Sequence, residues 1–203
     1  MPQVRAEATP IAKSISSHRE LLGLAKALWA EPVHERRLCA AFLLEARVEL
    51  LEPRDLPAIQ RFVRESKTWA LVDVLADKVL GGLLLSHPEA ADRLDRWAGD
   101  EDFWVRRAAL LSQIKPLRAG AGFERFGRYA DAMLDEREFF IRKAIGWVLR
   151  EAAKSRPAEV YEWLLPRAGR ASGVTMREAV KHLSPDQRKA LLAARVGPAA
   201  STR

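Results

Sequence analysis

The chain has 203 residues, of which 48% are hydrophobic, so it is long enough for one domain with a sizeable core. Its formal net charge of +7 favours a polyanionic partner, nucleic acid first and an acidic membrane surface second, unless the charge only reflects an arginine-rich proteome. A single cysteine excludes an internal disulfide, and no segment approaches the roughly 20 apolar residues that span a membrane.

The predicted elements are helices. Apolar residues recur at intervals of three and four, no strand pattern is present, and Pro and Gly fall between the segments. The expected helix pairs are, in chain order, 18–30 with 34–50, 55–65 with 68–85, 88–98 with 102–117, 122–135 with 138–154, and 157–168 with 173–194. We expect residues 1–17 and 195–203 to be tails that flank one domain over 18–194.

The second helices of these pairs resemble one another. "FWVRRAALLSQI" (103–114) aligns with "FFIRKAIGWVLR" (139–150), and "HERRLCAAFLLE" (34–45) aligns with the first at about twice the same spacing. A period of about 35 residues is typical of helical-repeat arrays. The sequence therefore predicts an all-α, HEAT-like solenoid of about five helix pairs, with the second helices on a basic concave face.

Two of the predicted second helices contain residues of particular interest. Cys39 lies in "RRLCAAFLLE" and is interpreted as a small buried apolar residue, since no paired base is near it in the sequence. In "SKTWALVDVLADKVLGGLL", Ser66 or Thr68 is the expected N-cap. Trp69 and Asp73 are four residues apart and share a face away from the apolar stripe. Either they form part of a site, or Asp73 is solvated and the indole packs on the next repeat.

The segment "EDFWVRRAALLSQIK" has apolar residues on two sides, so periodicity cannot decide whether Arg106 or Arg107 faces the groove. If Arg107 is buried it needs an acidic or phosphate partner. The alternative to a phosphate contact is an ion pair between repeats.

The segment "FFIRKAIGWVLRE" places an indole among cations. Ile141, Ala144, Ile145, Val148, Leu149 and Ala152 form its apolar stripe. At about 100° per residue, Trp147 lies roughly 130° from the centre of that stripe, beside Lys143 and Arg150.

No other constellation predicts chemistry. The four histidines, His18, His34, His87 and His182, have no metal-ligand spacing. No glycine-rich loop could hold a phosphate, and no Ser/His/Asp triad can be argued. No metal or cofactor is predicted.

Three runs, "TWALVD", "WVRRAALLSQI" and "FFIRKAIGWVLREAAKSRP", resemble in order and spacing the bacterial AlkD-like DNA glycosylases of the DNA alkylation repair family. The resemblance covers roughly residues 18 to 170. It implies a HEAT-like solenoid that holds alkylated double-stranded DNA in a basic groove and removes N3-methyladenine and N7-methylguanine. It further implies Asp73 as the catalytic carboxylate, Trp69 and Trp147 as the aromatics that flank the lesion, and Arg107, or Arg106 if the alignment slips by one, on a phosphate.

The implied chemistry suits these residue types. A purine alkylated at N3 or N7 is already cationic and leaves without an enzyme acid, while positive charge develops on the sugar. A fixed carboxylate stabilises that oxocarbenium-like centre and positions water, and aromatic faces attract the same cation. The resemblance implies a monomer in the bacterial cytoplasm, on the nucleoid when bound to DNA, with neither a metal nor a redox cofactor.

One departure from the family leaves other functions open. Family members begin with a further helix pair, and residues 1–17 carry neither its motif nor the length for it, so a shortened member is expected. A non-enzymatic protein for damaged or branched DNA, and a protein-interaction solenoid, are the alternatives.

Overall fold

The computed structural model describes residues 2–196, which contain helices and no strand. The α-helices are α1 (Pro2–Ser14), α2 (His18–Trp29), α3 (His34–Ala46), α4 (Leu56–Ser66), α5 (Trp69–Asp73), α6 (Gly81–Ser86), α7 (Ala91–Trp97), α8 (Phe103–Leu111), α9 (Ile114–Arg118), α10 (Glu124–Met133), α11 (Phe139–Ala153), α12 (Pro157–Leu164), α13 (Gly173–Ala179) and α14 (Pro185–Val196). A π-helix, Val74–Leu80, joins α5 to α6. The predicted all-α helical-repeat fold is confirmed.

The N-terminal segment differs from its prediction. Residues 2–14 form α1, which packs against α3, so the expected tail over 1–17 is wrong there. The buried face of α1 consists of Ala8 and Ala12, and such small residues give little apolar signal in the sequence. Arg47 fixes the end of α1 because its Nη1 donates to the carbonyl of Ala12 at 3.1 Å. The predicted C-terminal tail, 195–203, lies outside the described residues from 197 onward.

Contacts between residues divide the chain into two compact units, 1–115 and 116–203. In the first unit α3 packs on both α1 and α2, and the rings of Trp29 and Phe62 stack with centroids 4.4 Å apart. In the second unit the main contact is between α11 and α13. The predicted repeat domain, 18–194, is thus distributed over both units.

Polar contacts within each unit follow the repeat period. In the first unit the indole Nε1 of Trp29 donates to Glu65 over 36 residues, and Arg64 pairs with Asp100 over the same separation. In the second, Arg167 donates to Asp131 across 36 residues. Side chains at a given position of one repeat therefore bind the following repeat. Such contacts between neighbours are expected when helix pairs stack.

The predicted second helix over 138–154 is present as the continuous helix α11, whereas the others are interrupted or shorter. The expected core stripe of 68–85 is buried throughout, yet its middle turns are π-helical. The expected helix over 173–194 divides into α13 and α14, separated by a 3₁₀ turn at Val180–His182. Pro185 accounts for the break because proline disfavours helical backbone in the residue before it.

Cys39 is half-buried, so the prediction that it is a buried residue is wrong. Its neighbours along α3, Leu38 and Ala40, are the buried residues. Burial nevertheless raises the pKa of the Cys39 thiol, which reduces its thiolate fraction.

None of the helices in the described part of the chain has the length and apolar content to cross a membrane.

The packing of α11 on α13 leaves no room for a side chain at Gly146. A Cβ there would lie 2.8 Å from both the Cβ of Glu178 and the carbonyl oxygen of Thr175. We expect Gly146→Ala to destabilise the fold by about 1–3 kcal/mol despite the better helix propensity of alanine, because the backbone of α13 must move. Gly23→Ala in α2 is the control: nothing lies within 4 Å of its Cβ, so alanine should stabilise the fold by about 0.5–1 kcal/mol. Equal urea midpoints for the two variants would contradict this account.

Candidate functional site

Asp73 stands where one kind of helix ends and another begins. The side chain of Thr68 caps α5 by accepting from the amide of Ala70 at 3.4 Å, which confirms one of the two expected caps. Asp73 is the last residue of α5, and the π-helix Val74–Leu80 follows at once. Its wider turn is closed by the amide of Gly81 donating to the carbonyl of Ala76, five residues back. Such π segments are often found beside functional residues.

Arg107 holds the carboxylate of Asp73 from the facing helix α8. Its Nε donates to Oδ1 at 2.8 Å and its Nη2 donates to Oδ2 at 2.9 Å. The side chain of Arg107 is 3% exposed and that of Asp73 is 16% exposed. A planar guanidinium bound through two parallel hydrogen bonds fixes the orientation of the carboxylate plane as well as its charge. Of the two partners that the sequence left open for a buried Arg107, the acidic one is present.

Arg106 has a different surrounding. It is half-buried, and its Nη1 donates to the carbonyls of Asp100 at 2.6 Å and Glu101 at 2.9 Å. These two carbonyls belong to the loop that precedes α8. Arg106 therefore braces this loop.

Trp69 begins α5 one helical turn before Asp73, and 52% of its surface is exposed. The spacing of four places the two residues on one face of the helix, as predicted. A half-exposed indole beside a partly exposed carboxylate offers an apolar plane and a negative charge to the same ligand. The alternative interpretation required a solvated Asp73, whereas the carboxylate is bound by Arg107 and its side chain is 16% exposed.

Trp147, Lys143 and Arg150 lie on α11 in the second unit. Trp147 is half-buried, Lys143 is exposed, and the side chain of Arg150 is 25% exposed. Arg150 Nη1 donates to the carboxylate of Glu178. The Nζ of Lys143 lies 6.0 Å from the centroid of the Phe139 ring. Lys143 precedes Trp147 by four residues and Arg150 follows it by three, so the three residues share one face of α11.

Glu151, which was not among the predicted site residues, is buried and binds cations of the second unit. Its Oε2 accepts from Arg118 and, at 2.7 Å, from Lys154 Nζ, and its Oε1 lies 3.5 Å from Arg150 Nε. Burial alone would raise the pKa of Glu151, but hydrogen bonds from Lys154 and Arg118 outweigh it and hold the pKa at about 2. The available signal was its place four residues after Trp147, in the otherwise basic run "REAAK".

The depressed pKa of Glu151 predicts acid-sensitive stability. The ionised carboxylate contributes its full share of the free energy of unfolding above 4.5, the pKa of the group in the unfolded chain. That contribution is lost as the pH falls toward 2. We expect Glu151→Gln to lower the free energy of unfolding by about 3 kcal/mol near neutral pH, with the difference from wild type vanishing near the acid limit. Urea unfolding of both proteins across that range measures it. A difference that does not depend on pH would show that the charge of Glu151 is not what stabilises the fold.

The histidines and other potential ligands are dispersed. His18 Nε2 lies 2.9 Å from Asp55 Oδ2, and His87 Nδ1 lies 3.2 Å from Glu89. Over residues 2–196 there is no group of three or more His, Cys, Asp or Glu that could hold a metal ion.

The helical repeats and the carboxylate that Arg107 holds define a class of protein, and sequence comparison identifies it. A profile described as DNA alkylation repair enzyme matches residues 1–183. The chain belongs to the DNA alkylation repair enzyme family. Comparison with curated proteins gave no match.

Solved structures agree with this assignment. A structure described as a predicted DNA alkylation repair enzyme from Enterococcus faecalis is similar at 25% identity and a TM-score of 0.80, over 91% of this chain and 86% of that one. Two structures from Streptococcus mutans are similar at 19% identity and a TM-score of 0.68: smu.31, over 90% of this chain and 92% of that one, and AlkD2, over 90% of each. The latter two show the fold alone.

Proposed function

We propose that this family member is a DNA glycosylase that excises cationic alkylpurines, such as N3-methyladenine and N7-methylguanine, from double-stranded DNA. The observation that carries the proposal is the carboxylate of Asp73, held at both oxygens by Arg107 and placed one turn from the exposed indole of Trp69. It acts as a monomer in the bacterial cytoplasm, on the nucleoid, and needs no metal or cofactor.

The proposed reaction is hydrolysis of the N-glycosidic bond. The bonding pair leaves with the purine, which becomes neutral, and the sugar becomes an oxocarbenium-like cation. Asp73 stabilises that charge and orients the water that adds to the sugar and then loses a proton. A fixed, partly exposed carboxylate is suited to stabilising the sugar cation because the carboxylate is oriented before positive charge develops on the sugar.

We assign Arg107 the role of orienting Asp73, in place of the phosphate contact that the resemblance implies. Two of its donor nitrogens are already on the carboxylate, and its side chain is 3% exposed. A guanidinium that is so deeply buried is suited to fixing the orientation of the neighbouring Asp73 carboxylate.

We assign the remaining residues to DNA contact. The aromatic faces of Trp69 and Trp147 attract cationic nucleotides, and Lys143 and Arg150 are placed to meet phosphates. The exposure of Trp69 and Lys143 supports this role. Arg106 stays outside it, since its Nη1 binds two carbonyls of its own loop.

The test is incubation with duplex DNA that contains N7-methylguanine, followed by quantification of the free base. The proposal expects release well above the spontaneous rate measured without protein. Release at the spontaneous rate, by protein that binds the duplex, would overturn it.

A second candidate is a non-enzymatic protein for damaged or branched DNA. The observation in its favour is that both oxygens of Asp73 accept from Arg107, which neutralises the charge that the reaction requires. It expects affinity that falls steeply with salt and no released base.

A further inference from the structure

The buried carboxylate of Glu151 binds several cations that would otherwise repel one another. Arg118 and Lys154 both donate to its Oε2, and Arg150 Nε lies 3.5 Å from its Oε1. Three positive charges thus meet Glu151, and Arg150 also binds Glu178, so the three cations and two carboxylates together carry a formal +1. Only 7% of the side chain of Glu151 is exposed, so the carboxylate itself is withdrawn from the surface.

The cations, in contrast, remain accessible. The side chains of Arg118 and Lys154 are 48% and 47% exposed, although each is tied to the buried oxygen. A guanidinium has five N–H donors and an ammonium has three, so one bond to Glu151 leaves most of them for another acceptor. The cluster therefore offers preorganised donors around a buried counter-charge.

Two of these cations, Arg150 and Lys154, continue a row that runs along α11 to the residue that caps its C-terminal end. Lys143, Trp147, Arg150 and Lys154 follow one another at intervals of four, three and four residues, which places them on one face of the helix. At about 1.5 Å per residue the row is roughly 16 Å long. A DNA strand has a phosphate about every 3.4 Å along the axis, so the row can meet several phosphates.

We propose that Glu151 is a positioning residue that holds Arg118, Arg150 and Lys154 as one phosphate-binding platform. A negative side chain then strengthens the binding of a polyanion, because it fixes the cations before the phosphate arrives and lowers the entropy that binding must remove. The proposal rests on DNA as the ligand of the proposed function, and does not depend on base release.

Simple charge counting expects the opposite result. Glu151→Gln raises the net charge by one unit, and so does Glu162→Gln at an exposed position of the same unit. If only net charge mattered, both variants would bind DNA equally, and slightly more tightly than wild type. The platform requires Glu151→Gln to bind more weakly and Glu162→Gln to bind at least as well as wild type.

The experiment measures the affinity for an unmodified duplex by fluorescence anisotropy over a series of salt concentrations. We expect Glu151→Gln to bind about 5- to 10-fold more weakly, with a salt slope shallower by about one to two released ions. Glu162→Gln should retain the wild-type slope. A folded Glu151→Gln protein that binds as tightly as Glu162→Gln, or a wild type that does not bind, would overturn the proposal.

Arg118→Gln keeps the test decisive if Glu151→Gln is unfolded at the assay temperature. Half of the Arg118 side chain is exposed, so the fold should tolerate its loss. Its salt slope should be shallower by about one ion and its affinity lower at every salt concentration. Unchanged binding by folded Arg118→Gln would refute the platform.

The two proposals fail separately. If no base is released but Glu151→Gln binds DNA weakly, only the glycosylase assignment fails. If base is released and Glu151→Gln binds as tightly as Glu162→Gln, only the platform fails.

Discussion

Replacing Asp73 by asparagine is expected to lower the single-turnover rate of base release by about 100-fold or more. The substitution keeps the size of the side chain and removes the charge that faces the oxocarbenium-like sugar. The affinity for the alkylated duplex should change little, because Asp73 acts on charge that develops only in the transition state. The rate of free-base formation under excess protein measures the effect.

The chain provides a matched control for this substitution. Asp135 is also bound by one arginine through two nitrogens, since Arg170 Nε and Nη2 lie 3.1 Å and 2.7 Å from its Oδ2. Its side chain is 67% exposed. Asp135→Asn should release base at the wild-type rate. If it slows release as much as Asp73→Asn does, loss of an Asp–Arg pair, and not of a catalytic carboxylate, explains the effect.

Replacing Arg107 by methionine is expected to lower the free energy of unfolding by about 3 kcal/mol. The change leaves the carboxylate of Asp73 with its oxygens largely covered and without the guanidinium that binds both. We place the loss at the lower end of the range for broken buried pairs, because 16% of the Asp73 side chain reaches solvent. Urea midpoints measure it.

A double-mutant cycle separates the ion pair from the packing of Arg107. In an Asp73→Asn background, Arg107→Met should destabilise the fold by markedly less, because no charge is left unpaired. Arg170→Met is the exposed comparison, with an expected loss below about 1 kcal/mol. Equal losses from Arg107→Met in both backgrounds would contradict the account of Arg107 as the partner of Asp73.

Local periodicity was sufficient for the elements that carry the site. The apolar stripe of α11 is buried as predicted, and the half-buried Trp147 lies off it because helical geometry alone sets that angle. Thr68, one of the two expected N-caps, caps α5, and Asp73 lies one helical turn after Trp69 as expected, although the expected helix over 68–85 was not predicted to change form at Asp73. Each of these features depends on residues within a few positions along the chain.

Features that depend on contacts between repeats were not predictable. The two apolar sides of α8 could not show that Arg107 is buried and directed at Asp73, since its partner lies 34 residues away. The same holds for the close packing at Gly82, two residues after the π-helix, where a Cβ would lie 2.8 Å from the side chain of Val48. Helix α1 was not predicted because alanines form its buried face. Glu151 was not predicted to be buried because nothing in the sequence distinguishes it from a surface charge.

The chemical role of Asp73 is tested by comparing base release by wild type and by Asp73→Asn when both are bound to the same lesion. Wild type and Asp73→Asn are each saturated with duplex DNA containing N7-methylguanine, and free base is followed with time. The account predicts that wild type releases the base while Asp73→Asn, equally bound, releases it at nearly the spontaneous rate. Equal release by the two proteins would contradict it.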